Sequence, residues 1–179
     1  MAGQSIGSAG PVERIRSEVK QDWLAVKAVH EAAFGSPAEA NLVAALRRQA
    51  EPFISPVAEK DGKVVGHIMF SPVVLTGHAG RKIMRLAPMA VAPEHQRKGI
   101  GSALVRAGLE RCKEFGFGAV VVLGHPAFYP RFGFSPAANF GICCEYDVPD
   151  EALMLIELLR DFLKGASGKV EYHPAFKDL

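Results

Sequence analysis

The segment from Ala119 to Leu123 reads Ala-Val-Val-Val-Leu, an unbroken run of aliphatic residues. Runs of this kind are typical of a strand that is buried on both faces in a parallel pairing. The preceding residues 99–116 predict a helix, because apolar side chains recur there every three to four positions. Its predicted apolar face consists of Ile100, Ala103, Leu104, Ala107, Gly108 and Cys112, with Phe115 closing it. With another strand predicted over 82–92, the order strand, helix, strand indicates a right-handed βαβ unit and a mixed α/β fold around a central twisted sheet.

Shorter elements surround this unit. Strands are predicted over 12–19, 57–60, 63–70, 142–146 and 170–173, and helices over 20–34 and 36–49. Residues 152–159 fit a strand and, by their Glu and Leu content, equally a helix. Asp61-Gly62 supplies the positive φ angles of a two-residue hairpin turn. Ser36, Pro37 and Glu39 match a capping box at a helix start, which would fully explain Glu39.

The strand predicted over 82–92 changes phase in its middle. Apolar residues alternate through Met84 and Leu86 and then resume at Met89 and Val91, one position out of step. Pro88 lies at the change, and proline cannot donate a hydrogen bond to a neighbouring strand. The pattern therefore predicts a β-bulge or a splay at Pro88.

Composition limits the class of protein. The chain has 179 residues, and 21 basic against 19 acidic side chains give a formal net charge of +2. This length fits one domain, expected over residues 11–179 after a disordered lead-in over 1–10. The near-neutral charge excludes a nucleic-acid binder that relies on bulk charge. No apolar run approaches the ~18–20 residues that cross a bilayer, and the lead-in does not resemble a signal peptide, so we expect a cytoplasmic protein without a membrane partner.

The cysteines and histidines do not form a recognisable framework. The three cysteines are Cys112 and the adjacent Cys143 and Cys144, an odd set that fits no disulfide scaffold. No Cys/His cluster has the spacing of a zinc site, so no metal is expected. No acid/base arrangement supports a nucleophilic role for Cys143 and Cys144, and we interpret them as thiols on a strand.

The segment Gln96-Arg97-Lys98-Gly99-Ile100-Gly101 lies between a predicted strand and the long helix. Its two glycines allow close approach of a ligand to the backbone, and a helix N-terminus attracts anions. Arg97 and Lys98 add positive charge. The segment matches neither a dinucleotide-binding fingerprint nor a P-loop. Taken alone, it is equally consistent with a phosphate-binding loop and with a glycine-rich turn that carries a solvated basic pair.

The surrounding residues favour the phosphate-binding interpretation. The run 87–104 resembles the cofactor-binding motif of the GNAT superfamily of acyl-CoA N-acyltransferases, in which a strand and a short loop lead to Q/R-x-x-G-x-G/A at the start of a helix. Phe128-Tyr129-Pro130-Arg131-Phe132-Gly133-Phe134 is similar to the second family signature, F-Y-x-x-x-G-F. The similarity extends from about Gln21 to the end of the chain and is closest to the YhbS-like branch.

The resemblance implies a single GNAT-like domain with a splayed fourth strand, flanked by helices, and acetyl-CoA as the acyl donor. Backbone amides of Met89, Ala90 and Val91 would meet the pantetheine arm and the acyl carbonyl. The loop and helix start would hold the pyrophosphate. The residues that the resemblance assigns to the cofactor are Met89, Ala90, Val91, Gln96, Arg97, Lys98, Gly99, Ile100, Gly101, Ser102, Ala103, Phe128 and Phe132.

Two residues are assigned to catalysis. Tyr129 falls on the position of the family's proton donor, and a phenol is a suitable acid for a departing thiolate. The alternative is a tyrosine whose ring only packs beneath the cofactor. His125 follows the buried strand and would titrate near neutral pH, although the related branch usually carries an acidic residue there. His67 is interpreted as a core histidine, and Glu59 and Glu145 as solvated strand residues, so the general base is not identified.

The sequence therefore predicts an N-acetyltransferase that moves an acetyl group from acetyl-CoA directly to a primary amine in a ternary complex. The acceptor stays open between a small amine, an antibiotic, an amino acid and a protein amine. The alternative is a non-catalytic acyl-CoA-binding module that acts through a partner, and a longer acyl group is a third possibility. The oligomeric state also stays open, and a homodimer is what similar proteins suggest.

Overall fold

The computed structural model describes residues 14–179. The lead-in expected over 1–10 and the start of the first strand at Val12 lie outside this range. The helices are α1 (Trp23–Phe34), α2 (Ala38–Gln49) and α3 (Ile100–Glu114). The strands are β1 (Arg14–Ser17), β2 (Pro56–Lys60), β3 (Lys63–Leu75), β4 (Ile83–Val91), β5 (Ala119–Leu123), β6 (Ser135–Pro136), β7 (Ile142–Cys144), β8 (Leu153–Glu157) and β9 (Gly168–Glu171).

The strands form one mixed sheet. Its main order is β1-β2-β3-β4-β5-β8-β6, while β9 pairs with both β3 and β7. Strands β4 and β5 are parallel and are connected through α3, as the βαβ prediction requires. The hairpin prediction is also confirmed, because Asp61 and Gly62 have φ angles of 52° and 71° between β2 and β3. The fold is therefore mixed α/β, as predicted.

Strand β4 carries the predicted irregularity. Ile68 of β3 lies opposite Met89, whereas Phe70 lies opposite Leu86, so β4 has one extra residue at Ala87–Pro88. The pairing of β4 with β5 ends at Arg85 and Val121. Within residues 14–179, the rest of β4 pairs only with β3. The two parallel strands therefore separate from the bulge onward, and one edge of β4 is left open.

Two apolar cores lie on the two faces of the sheet. One contains side chains of α1 and α2, among them Val26 and Leu46, together with Val121. The other contains Leu104 of α3 with Phe70 and Tyr129. Gly108 brings α3 close to the sheet, since a Cβ atom there would lie 2.2 Å from Cε2 of Phe70. The βαβ unit thus places α3 on the face opposite α1 and α2.

The structure contradicts two predictions made from the sequence and resolves one that left two alternatives open. Phe115 does not close the apolar face of α3, because the helix ends at Glu114 and the Phe115 side chain is 62% exposed. The capping box at Glu39 is also wrong: Oγ of Ser36 accepts a hydrogen bond from N of Ala38 at 3.1 Å. Among the described residues, Oε2 of Glu39 has no hydrogen-bond partner. Of the two alternatives for residues 152–159 the strand is correct: Leu153–Glu157 form β8 and pair with all five residues of β5.

None of the helices described here combines the length and the apolarity needed to cross a membrane.

Candidate active site

A cleft of about 500 Å³ opens where the free edge of β4 meets the N-terminus of α3. Both walls follow from the local sequence, since the bulge at Pro88 releases β4 from β5 and the glycines around Ile100 keep the helix start free of bulky side chains. The lining residues are Met89, Ala90, Val91, His95, Gln96, Arg97, Gly99, Ile100, Gly101, Ser102, Phe128 and Arg131. The cleft therefore has an apolar strand on one side and a basic, amide-rich loop on the other.

The loop before α3 has the backbone shape of an anion-binding turn. Gly99 adopts a left-handed conformation with φ of 85°, and Arg97 also has a positive φ, of 60°. The side-chain amide of Gln96 donates to O of Val91 at 2.9 Å and ties the loop to the end of β4. The ammonium of Lys98 donates to O of Glu94 at 3.1 Å. The first N–H groups of a helix have no acceptor within that helix, so those of α3 are available to an anion.

Gly101 faces the cleft. A Cβ atom at this position would lie 3.8 Å from Cε of Met89 and 3.9 Å from Cγ2 of Val91, which are ordinary contact distances. A small side chain could therefore be accommodated by the protein itself. A larger one would extend across the space between α3 and β4 that the cleft occupies.

Tyr129 lies deep beside the cleft. Its side chain is buried, and its ring packs edge-on against Phe128 and Phe134, with centroids 5.0 and 5.5 Å away. Burial raises the pKa of the Tyr129 hydroxyl to about 12. Gly124 makes room for the ring, because a Cβ atom at that position would lie 2.4 Å from Cε2 of Tyr129. The hydroxyl therefore keeps its proton over the whole physiological pH range.

The cleft gathers most of the residues that the resemblance assigned to the cofactor, from Met89–Val91 on β4 through Ser102 on α3 to Phe128. It does not gather all of them. The residues assigned to the cofactor or to catalysis that do not line it are Lys98, Ala103, Phe132, His125 and Tyr129. Two lining residues were not predicted, His95 and Arg131. Arg131 lies inside the predicted aromatic motif, and its positive charge beside Phe132 was the available signal.

His67 is a core histidine, as predicted. Its Nδ1 lies 2.8 Å from Nε2 of His30, and its Nε2 lies 2.7 Å from Oγ of Ser55. Both imidazoles are fully buried. Burial lowers the pKa of His30 to about 4, and burial together with the neighbouring His30 lowers the pKa of His67. The pair is therefore neutral at pH 7 and packs α1 onto β3.

The remaining candidates have ordinary surroundings. Glu59 pairs with Arg16 at 2.8 Å, and an oxygen of Glu145 accepts from N of Tyr172 at 3.1 Å. Cys143 and Cys144 are not fully buried, and their thiols contact backbone carbonyls. In the described part of the chain, no three side chains of His, Cys, Asp or Glu cluster as metal ligands would.

The fold and the cleft together define a class of protein, a mixed α/β domain in which a cleft opens between a splayed strand and a helix N-terminus. The family model described as "Acetyltransferase (GNAT) family" matches residues 13–134 of the chain. The chain belongs to this family, and it is an N-acetyltransferase that uses acetyl-CoA.

Individual relatives agree with this assignment. The uncharacterized N-acetyltransferase YhbS of Escherichia coli is 39% identical over 163 residues, which cover 90% of this chain and 97% of that protein. A crystal structure of YhbS in complex with CoA superposes with a TM-score of 0.86 at 38% identity, over 92% of this chain and 91% of that one. A GNAT acetyltransferase from Brucella melitensis, in complex with acetyl-CoA, gives a TM-score of 0.75 at 35% identity, over 91% and 97%.

Proposed function

We propose that the cleft between β4 and α3 holds acetyl-CoA and that Tyr129 protonates the departing thiolate during direct transfer to a primary amine. The observation that carries this proposal is the meeting of three features in one cleft: the free edge of β4 at Met89–Val91, the open first turn of α3 and the basic side chain of Arg131. Together they offer backbone donors along an apolar wall and positive charge at one end, as a long thioester with a pyrophosphate requires.

The residues present fit the cofactor. Amides of α3 and its preceding loop, from Gln96 to Ser102, would hold the pyrophosphate, with Arg97 adding charge. The exposed backbone of Met89–Val91 would pair with the pantetheine arm. Phe128 offers an apolar contact opposite the strand. When bound, acetyl-CoA supplies the acetyl group as an activated thioester.

Side chains of the protein would donate and accept the protons that move during the transfer. As the amine nitrogen bonds to the acetyl carbon and the carbon–sulfur bond breaks, the Tyr129 hydroxyl gives its proton to the sulfur. The amine loses a proton, and the proposed acceptor is His125, an exposed imidazole whose backbone oxygen receives a hydrogen bond from N of Phe128 at 3.1 Å. After transfer, His125 releases the amine proton to solvent and Tyr129 takes up a proton from solvent, which returns both groups to their starting state.

Calorimetric titration with acetyl-CoA tests the cofactor site. We expect micromolar binding by the wild type and loss of binding in Gly101→Glu, because the new carboxylate would enter the cleft and repel the pyrophosphate. Lys113→Gln is the control, since it makes the same change of −1 in charge at an exposed position near the far end of α3. A folded wild-type protein that does not bind acetyl-CoA would refute the proposal. The location in the cytoplasm and the homodimer stay predictions.

A further inference from the structure

Arg85 is a buried arginine with no carboxylate partner among residues 14–179. It lies on β4, only 7% of its surface is exposed, and neither Nε nor Nη1 has a hydrogen-bond partner among residues 14–179. Burial lowers the pKa of its guanidinium, while Tyr172 and Tyr146 oppose the change. A buried charge is expensive unless it is paired, so an unpaired one needs an explanation.

The protein treats its other part-buried arginines differently. Arg47 forms two hydrogen bonds with the carboxylate of Glu18, at 2.8 and 2.6 Å. Arg16 binds both Asp22 and Glu59. Arg81, which is also part-buried, instead donates to the carbonyl oxygen of Phe162. Arg85 is buried more deeply, and in the described part of the chain its Nε and Nη1 have neither a carboxylate nor a carbonyl partner.

What surrounds Arg85 is aromatic and polar but not acidic. The rings of Tyr172 and Phe176 lie with centroids 3.9 and 4.0 Å from its Cζ. Aromatic rings stabilise a cation through their π faces, but they leave the in-plane N–H groups without strong acceptors. Two neighbours also have a buried oxygen without a hydrogen-bond partner among the described residues: the hydroxyl of Tyr172, and Oγ of Ser71, whose residue lies directly across from Arg85 on β3. All three side chains carry N–H or O–H donors that an anion could accept from.

The position of this cluster is also informative. Arg85 forms the last pair of β4 with β5, immediately before the bulge, and its ring partners belong to the core on the α1–α2 face of the sheet. Met89 and Val91 pack on the α3 face, where the cofactor cleft lies. Four residues of strand span about 13 Å, so the arginine side chain lies within reach of a small molecule at the splay. Tyr146, which stacks on Tyr172, is 39% exposed, so the cluster extends to the surface.

We infer that Arg85, with the hydroxyls of Tyr172 and Ser71, binds a carboxylate carried by the amine acceptor. The acceptor would then be an amino acid or a similarly small amine that bears a carboxylate, entering from the face opposite the cofactor. This inference rests on the proposed acetyl transfer and narrows its substrate class. A bidentate pair between a guanidinium and a carboxylate would satisfy the donors that are unpaired in the protein alone.

Matched substrates provide the first test. The probes are the L-amino acids and their α-carboxamides, with release of free thiol from acetyl-CoA as the readout. We expect at least one amino acid to exceed its amide in kcat/KM by about tenfold or more, the size of a lost charged hydrogen bond. The amide lacks the negative carboxylate, so its amine is easier to deprotonate and would by itself react faster. A preference for the amino acid therefore cannot be explained by the reactivity of the amine. A wild type that accepts amines without this preference would overturn the inference.

Arg85→Gln provides the second test. We expect the ratio of kcat/KM for the amino acid to that for its amide to fall to about one, while Arg160→Gln, at an exposed position, keeps the wild-type ratio. An equal loss with both substrates would indicate a purely structural role and would also overturn the inference. If Arg85→Gln does not fold, Tyr172→Phe removes one hydroxyl from the cluster and should lower the same ratio.

The failure of this inference and that of the proposed function can be told apart. A protein that neither binds nor consumes acetyl-CoA contradicts the proposed function, whatever Arg85 does. In that case thermal unfolding with the same probes still tests the carboxylate site: an amino acid that raises the Tm more than its amide, in the wild type but not in Arg85→Gln, supports it. Equal shifts by amino acids and amides refute it.

Discussion

At the scale of the residue, the neighbours of Tyr129 support the role proposed for it. The phenylalanines around it exclude water, and Gly124 leaves space for the ring where any Cβ would collide with it. Because its pKa is raised to about 12 by burial, the hydroxyl stays protonated at physiological pH and is available as a proton donor. A thiol has an ordinary pKa of about 8.5, so the phenolate left after the transfer is a stronger base than the thiolate and is readily reprotonated by solvent. A more exposed tyrosine would share its hydrogen bonds with water.

Tyr129→Phe should therefore separate binding from turnover. Removal of the hydroxyl leaves the ring packing in place, so acetyl-CoA affinity should stay within about twofold of the wild type, while kcat falls by about a hundredfold, the usual size of a lost acid catalyst. Calorimetry and thiol release measure the two quantities. In the wild type, kcat should not decline between pH 7 and pH 10, because Tyr129 does not ionise there. Unchanged turnover in the variant would remove Tyr129 as the acid and leave it as a packing residue beside the cofactor.

At the scale of elements, the docking of α1 on β3 depends on the neutral pair His30 and His67. His30 has a pKa of about 4 in the folded protein, against the ordinary histidine value of 6.5. Between these values the unfolded chain binds more protons than the folded one, so the free energy of unfolding must fall as the pH decreases from 7 toward 4. Protonation would also break the short contact between two imidazoles.

We predict that the free energy of unfolding drops by about 2 kcal/mol between pH 7.5 and pH 5 through His30 alone. Urea denaturation at the two pH values measures the drop. In His30→Gln this part of the drop should disappear, because the amide can bond to His67 but does not titrate in this range. His125→Gln is the control, since it makes the same substitution at an exposed position. Equal pH dependence in His30→Gln would contradict the prediction.

The elements also show which features a sequence can reveal. The bulge at Pro88 was predictable because it changes the phase of alternation within one strand. The turn before α3 was predictable because glycines and basic residues are close together there. The pairing of His30 with His67 and the burial of Arg85 between Tyr172 and Phe176 were not predictable. Their partners lie 37 or more residues away in the chain, and no local pattern records such contacts. The prediction that Phe115 belongs to the apolar face of α3 was wrong because its spacing fits the helix, but the helix ends one residue earlier.

At the scale of the whole molecule, the proposed site lies where the pairing between β4 and β5 ends. From the bulge onward, β4 is held by β3 on one side, while β5 is held by β8. A ligand between the separated strands would contact β4, α3 and the segment after β5 at once, because the cleft is lined by Val91, Ile100 and Phe128. Binding would thus connect the two halves of the sheet beyond Arg85, where β4 and β5 no longer pair. Unfolding of either half would then require release of the ligand.

Acetyl-CoA should therefore stabilise the entire protein in one cooperative transition. At a ligand concentration about 100 times the Kd, the free energy of unfolding should rise by about 2.7 kcal/mol. For a chain of this length that corresponds to an increase in Tm of roughly 5–10 °C. Gly101→Glu should show no increase, whereas Lys113→Gln should match the wild type. Thermal unfolding followed by circular dichroism, with and without acetyl-CoA, measures the shift. An increase in only one of two resolved transitions would mean that the ligand contacts one half of the sheet alone, and the bridging role of the cleft would have to be abandoned.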